Sequence, residues 1–92
     1  MFFFSHLKVS GHSMEPGLKE EQSVFVSIIP YLFKNPKKGD VIIFKTGSKL
    51  LIKRILSVKG KKYQAGGDNI GHSRDFGNLK KSDILGKVIY KL

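Results

Sequence analysis

Val41-Ile42-Ile43-Phe44-Lys45, Thr46-Gly47-Ser48-Lys49, then Leu50-Leu51-Ile52-Lys53-Arg54-Ile55-Leu56-Ser57-Val58 reads as two apolar strands joined by a hairpin turn. The first run is β-branched and aromatic, as a buried strand requires, and Gly47 supplies the turn. The second run is apolar except at Lys53-Arg54. An ammonium held in apolar surroundings has its pKa lowered, because desolvation penalises the charged form. One hairpin therefore indicates both the fold class and a candidate base.

The flanking chain agrees with an all-β reading. Leu7-Lys8-Val9 is a short first strand, and Glu15-Pro16-Gly17-Leu18-Lys19-Glu20-Glu21 is a turn punctuated by Pro16 and Gly17. Ser23 to Ile29 is a strand that Pro30 stops, leaving Tyr31-Leu32-Phe33 in an expected loop before the turn Asn35 to Asp40. Lys59-Gly60-Lys61-Lys62 turns into a short Tyr63-Gln64-Ala65 strand, Gly66 to Gly77 is a loop, and Ile84 to Tyr90 is the terminal strand. Short strands at this spacing predict one small coiled-sheet or barrel-like domain over 1–92.

Composition narrows the chemistry. There are no cysteines, so disulfides and thiolate metal sites are excluded. His6, His12 and His72 lack ligand spacing, so no metal and no cofactor is expected. Seventeen basic against seven acidic residues give a net charge of +10, enough to attract phosphate or anionic lipid. The lysines are spread along the chain, and the phenylalanines lie in apolar runs rather than between basic residues. That pattern disfavours a nucleic-acid-binding module, the alternative from a different class. No run approaches the roughly 20 apolar residues of a spanning helix. Phe2-Phe3-Phe4 and Tyr31-Leu32-Phe33, with lysines nearby, suggest peripheral contact with an anionic membrane, and a cytoplasmic location is the alternative.

Ser10-Gly11-His12-Ser13-Met14-Glu15-Pro16 presents a serine between two chain-bending residues, Gly11 and Pro16. A serine is a weak nucleophile until a base takes its proton, and Lys53 is the candidate. Taken alone, Ser13 reads first as a loop serine making a local backbone hydrogen bond, and Lys53 as an edge-strand lysine reaching solvent past apolar neighbours.

With Ser13-Met14-Glu15-Pro16, Gly39-Asp40 before an apolar strand, Lys53-Arg54 within one, and Gly67-Asp68-Asn69 in this order, the chain resembles the type I signal peptidases, relatives of the self-cleaving repressor proteases. The resemblance covers about residues 8 to 90. It implies that Ser13 is the nucleophile and Lys53 the general base. It further implies that Ser73 and Asp75 orient the lysine, and that Asp68 and Asn69 fix the turn carrying Ser73. Met14 and Gly11 would border the substrate cleft or oxyanion site, while Pro16, Gly39, Asp40 and Arg54 belong to the motif framework. A peptide substrate would bind as an added strand and be cut after a small residue, as in signal or leader peptides. The expectation is a minimal form without the transmembrane anchor typical of the family. A dedicated cytoplasmic protease trimming a metalloenzyme precursor, or an inactive relative, would share these motifs.

The chain departs from the family pattern at named positions. Gly11 stands where some members carry a serine that serves as second oxyanion donor. Gly17 follows the Pro of the first motif instead of Thr, and Glu21-Gln22 replaces a usual Gly-Asp. Arg74 lies out of register with the arginine that normally pairs with the aspartate.

Overall fold

In the computed structural model, residues 3–69, 71 and 74–92 are described. Among the described residues the strands are β1 (Ser5–Lys8), β2 (Ser23–Ser27), β3 (Val41–Thr46), β4 (Lys49–Lys59), β5 (Lys62–Gly66), β6 (Phe76–Leu79) and β7 (Ile84–Lys91), with one short α-helix, α1 (Ile29–Phe33), and a 3-10 turn at Lys81–Asp83. They form a single antiparallel sheet in the order β1-β2-β7-β3-β4-β5-β6, open rather than closed into a barrel. The all-β reading therefore holds in its coiled-sheet form.

Strand alternation divides the core between the two faces of the sheet. From β3, Ile42 and Phe44 enter one cluster with Ile28, Tyr31, Ile55, Tyr63, Ala65 and Ile84. The intervening Ile43 enters the other with Val9, Met14, Leu18, Val24 and Val26. The segment around α1 covers the first face, and the loop that carries Ser13 covers the second. At roughly 25 cal/mol per Å² of apolar surface, each fully buried aliphatic side chain contributes about 1.5–3 kcal/mol.

Register shifts between Phe25 and Val26, Ile43 and Phe44, and Ile55 and Ser57 mark bulges that bend the strands. The β3–β4 hairpin pairs Thr46 with Lys49 across Gly47, whose φ of 58° is a conformation that glycine adopts without steric cost.

Two local expectations are corrected. Tyr31-Leu32-Phe33 is helical rather than loop. The strand expected to run to Ile29 ends at Ser27, and Pro30, instead of stopping it, lies in the first turn of α1, where a missing N–H and fixed φ are tolerated. The loop expected from Gly66 to Gly77 ends early: Phe76 to Leu79 forms β6 on β5, with Phe76 packed edge-on against Phe44, ring centroids 5.4 Å apart. Among the described residues, no helix is long and apolar enough to cross a membrane.

Candidate active site

β5 pairs with β4 only from Arg54 onward. Among the described residues, β4 from Lys49 to Lys53 has β3 on one side and an unpaired edge on the other. Ser13 approaches that edge. The Lys53 Nζ lies 2.8 Å from the Ser13 Oγ, and Lys53 is only 7 % exposed although it carries an ammonium-forming group. Burial is the main cause pushing the Lys53 pKa below the usual lysine value. Arg74 adds to the depression, and Asp75 opposes it.

The turn that presents Ser13 is held from both sides. Gly11 takes φ 85°, where a side chain would be strained. Farther along, Leu18 N–H donates to Met14 O, and Val9 and Glu21 close the base of the loop, with Glu21 N–H donating to Val9 O at 2.8 Å. Glu21 itself sits at φ 68°. Met14 does not border the cleft as the resemblance implies. It is 1 % exposed and packed into the second core, so its apolar side chain anchors the loop instead.

The remaining motif residues form a brace behind the pair. Arg54 donates from Nε and Nη2 to the two oxygens of Asp68, both at 2.9 Å, and from Nη1 to Gly39 O at 2.8 Å. Asn69 donates its backbone N–H to Ser13 O at 2.8 Å and its Nδ2 to His12 O at 3.0 Å. Asp68 and Asn69 thus tie the serine loop to the lysine strand, a broader task than fixing one turn. Asp40 is buried, accepting from the Tyr31 hydroxyl at 2.8 Å and from Lys37 N–H at 3.2 Å, with the Lys87 ammonium 3.6 Å away. It lies in the framework and not beside Ser13.

Ser73, expected to orient Lys53, lies outside the described residues, as does Phe2. Asp75 is exposed and abuts Gly66, where an added Cβ would collide with its carboxylate. Arg74 stacks on Phe76, 4.9 Å from the ring centroid.

A cavity of about 170 Å³ runs beside the pair, lined by Leu7, Val9, Ser10 and Ser13 on one side and Ile43 and Leu50 to Lys53 on the other. Ser10 in this lining and His12 beside the serine are features that sequence reasoning left unassigned. The His12 ring places Nδ1 2.9 Å from Glu15 and Nε2 2.9 Å from Glu20, and the hydrogen bond to Glu15 is the main cause raising its pKa. The i, i+3 spacing of His12 and Glu15 was the available signal. Among the described residues, no cluster of His, Asp and Glu is arranged to hold a metal ion.

Comparison with known proteins matches the sequence of this chain to one family. The family model described as "Signal peptidase, peptidase S26" matches residues 1–71. Signal peptidase IB of Staphylococcus aureus is 31% identical over 83 residues, covering 89% of this chain and 41% of that protein. Signal peptidase I of Bacillus amyloliquefaciens is 28% identical over 69 residues, covering 75% of this chain and 37% of that protein. The chain thus spans about two-fifths of the length of these relatives. No solved structure matches it significantly. On the family model and the Staphylococcus relative together, the chain belongs to the type I signal peptidase family.

Proposed function

We propose that the protein is a serine endopeptidase in which Ser13 and Lys53 act as a nucleophile–base pair on signal or leader peptides. The observation that carries this reading is the 2.8 Å approach of a buried lysine nitrogen to a loop serine oxygen at the head of a cleft.

Neutral Lys53 accepts the Ser13 proton as Oγ attacks the scissile carbonyl carbon. The tetrahedral intermediate collapses, the C–N bond breaks, and the leaving amine takes the proton back from the Lys53 ammonium. Water then attacks the ester with Lys53 again as base, which releases the acid and restores Ser13. Burial lowers the Lys53 pKa and so favours the neutral form that this cycle starts from. The developing oxyanion needs preorganised donors, each worth roughly 2.7–4 kcal/mol. The Ser13 backbone N–H is one. The hydroxyl of Ser10, which lines the same cleft, is available as a second where Gly11 offers none.

The unpaired edge of Leu50 to Ile52 favours a substrate bound as an extended added strand. The small cavity favours small side chains beside the scissile bond, in keeping with cleavage after a small residue. The test is mass spectrometry of an Ala-any-Ala peptide incubated with wild type, Ser13→Ala and Lys53→Ala. Cleavage after the small residue that disappears in both variants is the expected result. Cleavage that persists in either variant, or is absent from wild type across a small-residue library, would overturn the assignment.

A further inference from the structure

The most exposed large hydrophobic residue among those described, Phe33, lies outside the lining of the cleft, on α1. This five-residue helix buries only Tyr31, whose hydroxyl is engaged by Asp40, and turns the next two side chains outward. Leu32 is 55% exposed and Phe33 82%. Helices normally turn such side chains inward, and an adjacent exposed pair marks a contact surface.

The chemistry around the pair is cationic. Phe33 borders a cavity of about 370 Å³ that also takes in Lys34, Asn35, Lys37 and Lys87. Lys38 follows in the chain, and Lys81 joins the rim by donating to the Asn35 side chain at 3.1 Å. The nearby acids are already engaged. Asp40 accepts from Tyr31 and Lys37 beside Lys87, and Asp83 accepts the backbone N–H of Lys80. An apolar pair rimmed by lysines, on a chain of net charge +10, complements an anionic headgroup layer above acyl chains.

We propose that the α1 corner is a docking site for an anionic lipid bilayer. Leu32 and Phe33 enter the acyl boundary, and Lys34, Lys37 and Lys38 meet headgroup phosphates. α1 is too short to penetrate deeply, which places the contact at the interface. The α1 cavity and the cleft share no lining residue, so docking leaves the Ser13 cleft unobstructed. Nucleic acid could engage the lysines but would gain little from Leu32.

The experiment is co-sedimentation of the full chain with phosphatidylcholine vesicles, with and without phosphatidylglycerol. Binding should require phosphatidylglycerol and weaken with salt. Leu32→Ser with Phe33→Ser should abolish it, and neutralising Lys34, Lys37 and Lys38 to Gln should weaken it about fivefold per lysine. Unchanged thermal unfolding midpoints would show that the variants fold. Phe3→Ser with Phe4→Ser should retain α1-dependent binding. No vesicle binding by wild type, or binding unchanged in the Leu32/Phe33 variant, would overturn the proposal. So would tighter binding to single-stranded nucleic acid that depends on the lysines but not on Leu32 and Phe33.

Discussion

Asp40 and Lys53 are buried to the same degree, each 7 % exposed, yet the molecule treats them in opposite ways. Asp40 receives a tyrosine hydroxyl, a backbone N–H and a nearby ammonium. Its charge is compensated, and it anchors the turn into β3 to α1 and β7. Among the described residues, Lys53 is given one hydrogen-bond partner, the Ser13 oxygen, and no carboxylate within ion-pair distance. Burial alone does not separate the two residues, whereas their partners do. The Asp40 carboxylate, with these partners, ties the turn into β3 to its neighbours. Burial lowers the Lys53 pKa, with Asp75 only partly opposing the shift, and so favours the neutral form that a general base needs.

Exchanging the two residues' chemistry should produce opposite phenotypes. Lys53→Met should reduce peptide cleavage by about 10²–10⁴-fold, the range for losing a general base, while leaving stability at neutral pH unchanged or higher. Asp40→Ala should cost about 2–3 kcal/mol, the scale of hydrogen bonds to a charged group, with cleavage per folded molecule retained. Steady-state kinetics and urea unfolding on both variants would measure the contrast. Equal losses of stability would erase the distinction.

The next largest effect is in pH dependence. The native Lys53 pKa lies below its unfolded value of about 10.4, so between the two the unfolded chain binds a proton that the native state lacks. Stability contributed through Lys53 therefore rises with pH across that window and is absent below the native pKa. Cleavage should rise over the same range as the base deprotonates. Subtracting the unfolding free energies of Lys53→Met from those of wild type should leave a curve that climbs with pH. A flat or falling difference would contradict the shift.

Smaller effects test the loop that brings Ser13 to the lysine. Gly11→Ala should cost about 1–2 kcal/mol because of its positive φ, with no clash to blame, since nothing lies within 4 Å of the added Cβ. Glu21→Gly should do the reverse and stabilise by about 1 kcal/mol, because Glu21 also occupies positive φ. Thermal unfolding of the two variants would read both signs. A destabilised Glu21→Gly would mean that the side chain, rather than the backbone, sets that turn.

The β3–β4 hairpin and the strand at Ile84 were legible because each rests on local chemistry, apolar alternation or a turn glycine, whereas Ser13 and Lys53 stood out as a pair only through the order of the motifs around them. What escaped depends on contacts distant in sequence. α1 was hidden because Pro30 reads locally as a strand stop, while Tyr31 is fixed by Asp40. β6 was hidden because Gly77 and Asn78, the latter at φ 59°, read as loop until Phe76 is seen packed on Phe44. Met14 looked like a cleft residue by its place beside the serine, but its side chain turns into the core. Asn69 gave no sign in sequence that it would bond the backbone of the serine loop at two points.

The most direct test of the account is an NMR titration of the Lys53 side chain, assigned by its loss in Lys53→Met and repeated in Ser13→Ala. Lys53 should titrate below the ordinary lysine value, with the depression persisting in Ser13→Ala because burial rather than the serine is its main cause. A Lys53 that titrates at or above that value would show that it is charged at the cleft and cannot serve as the base.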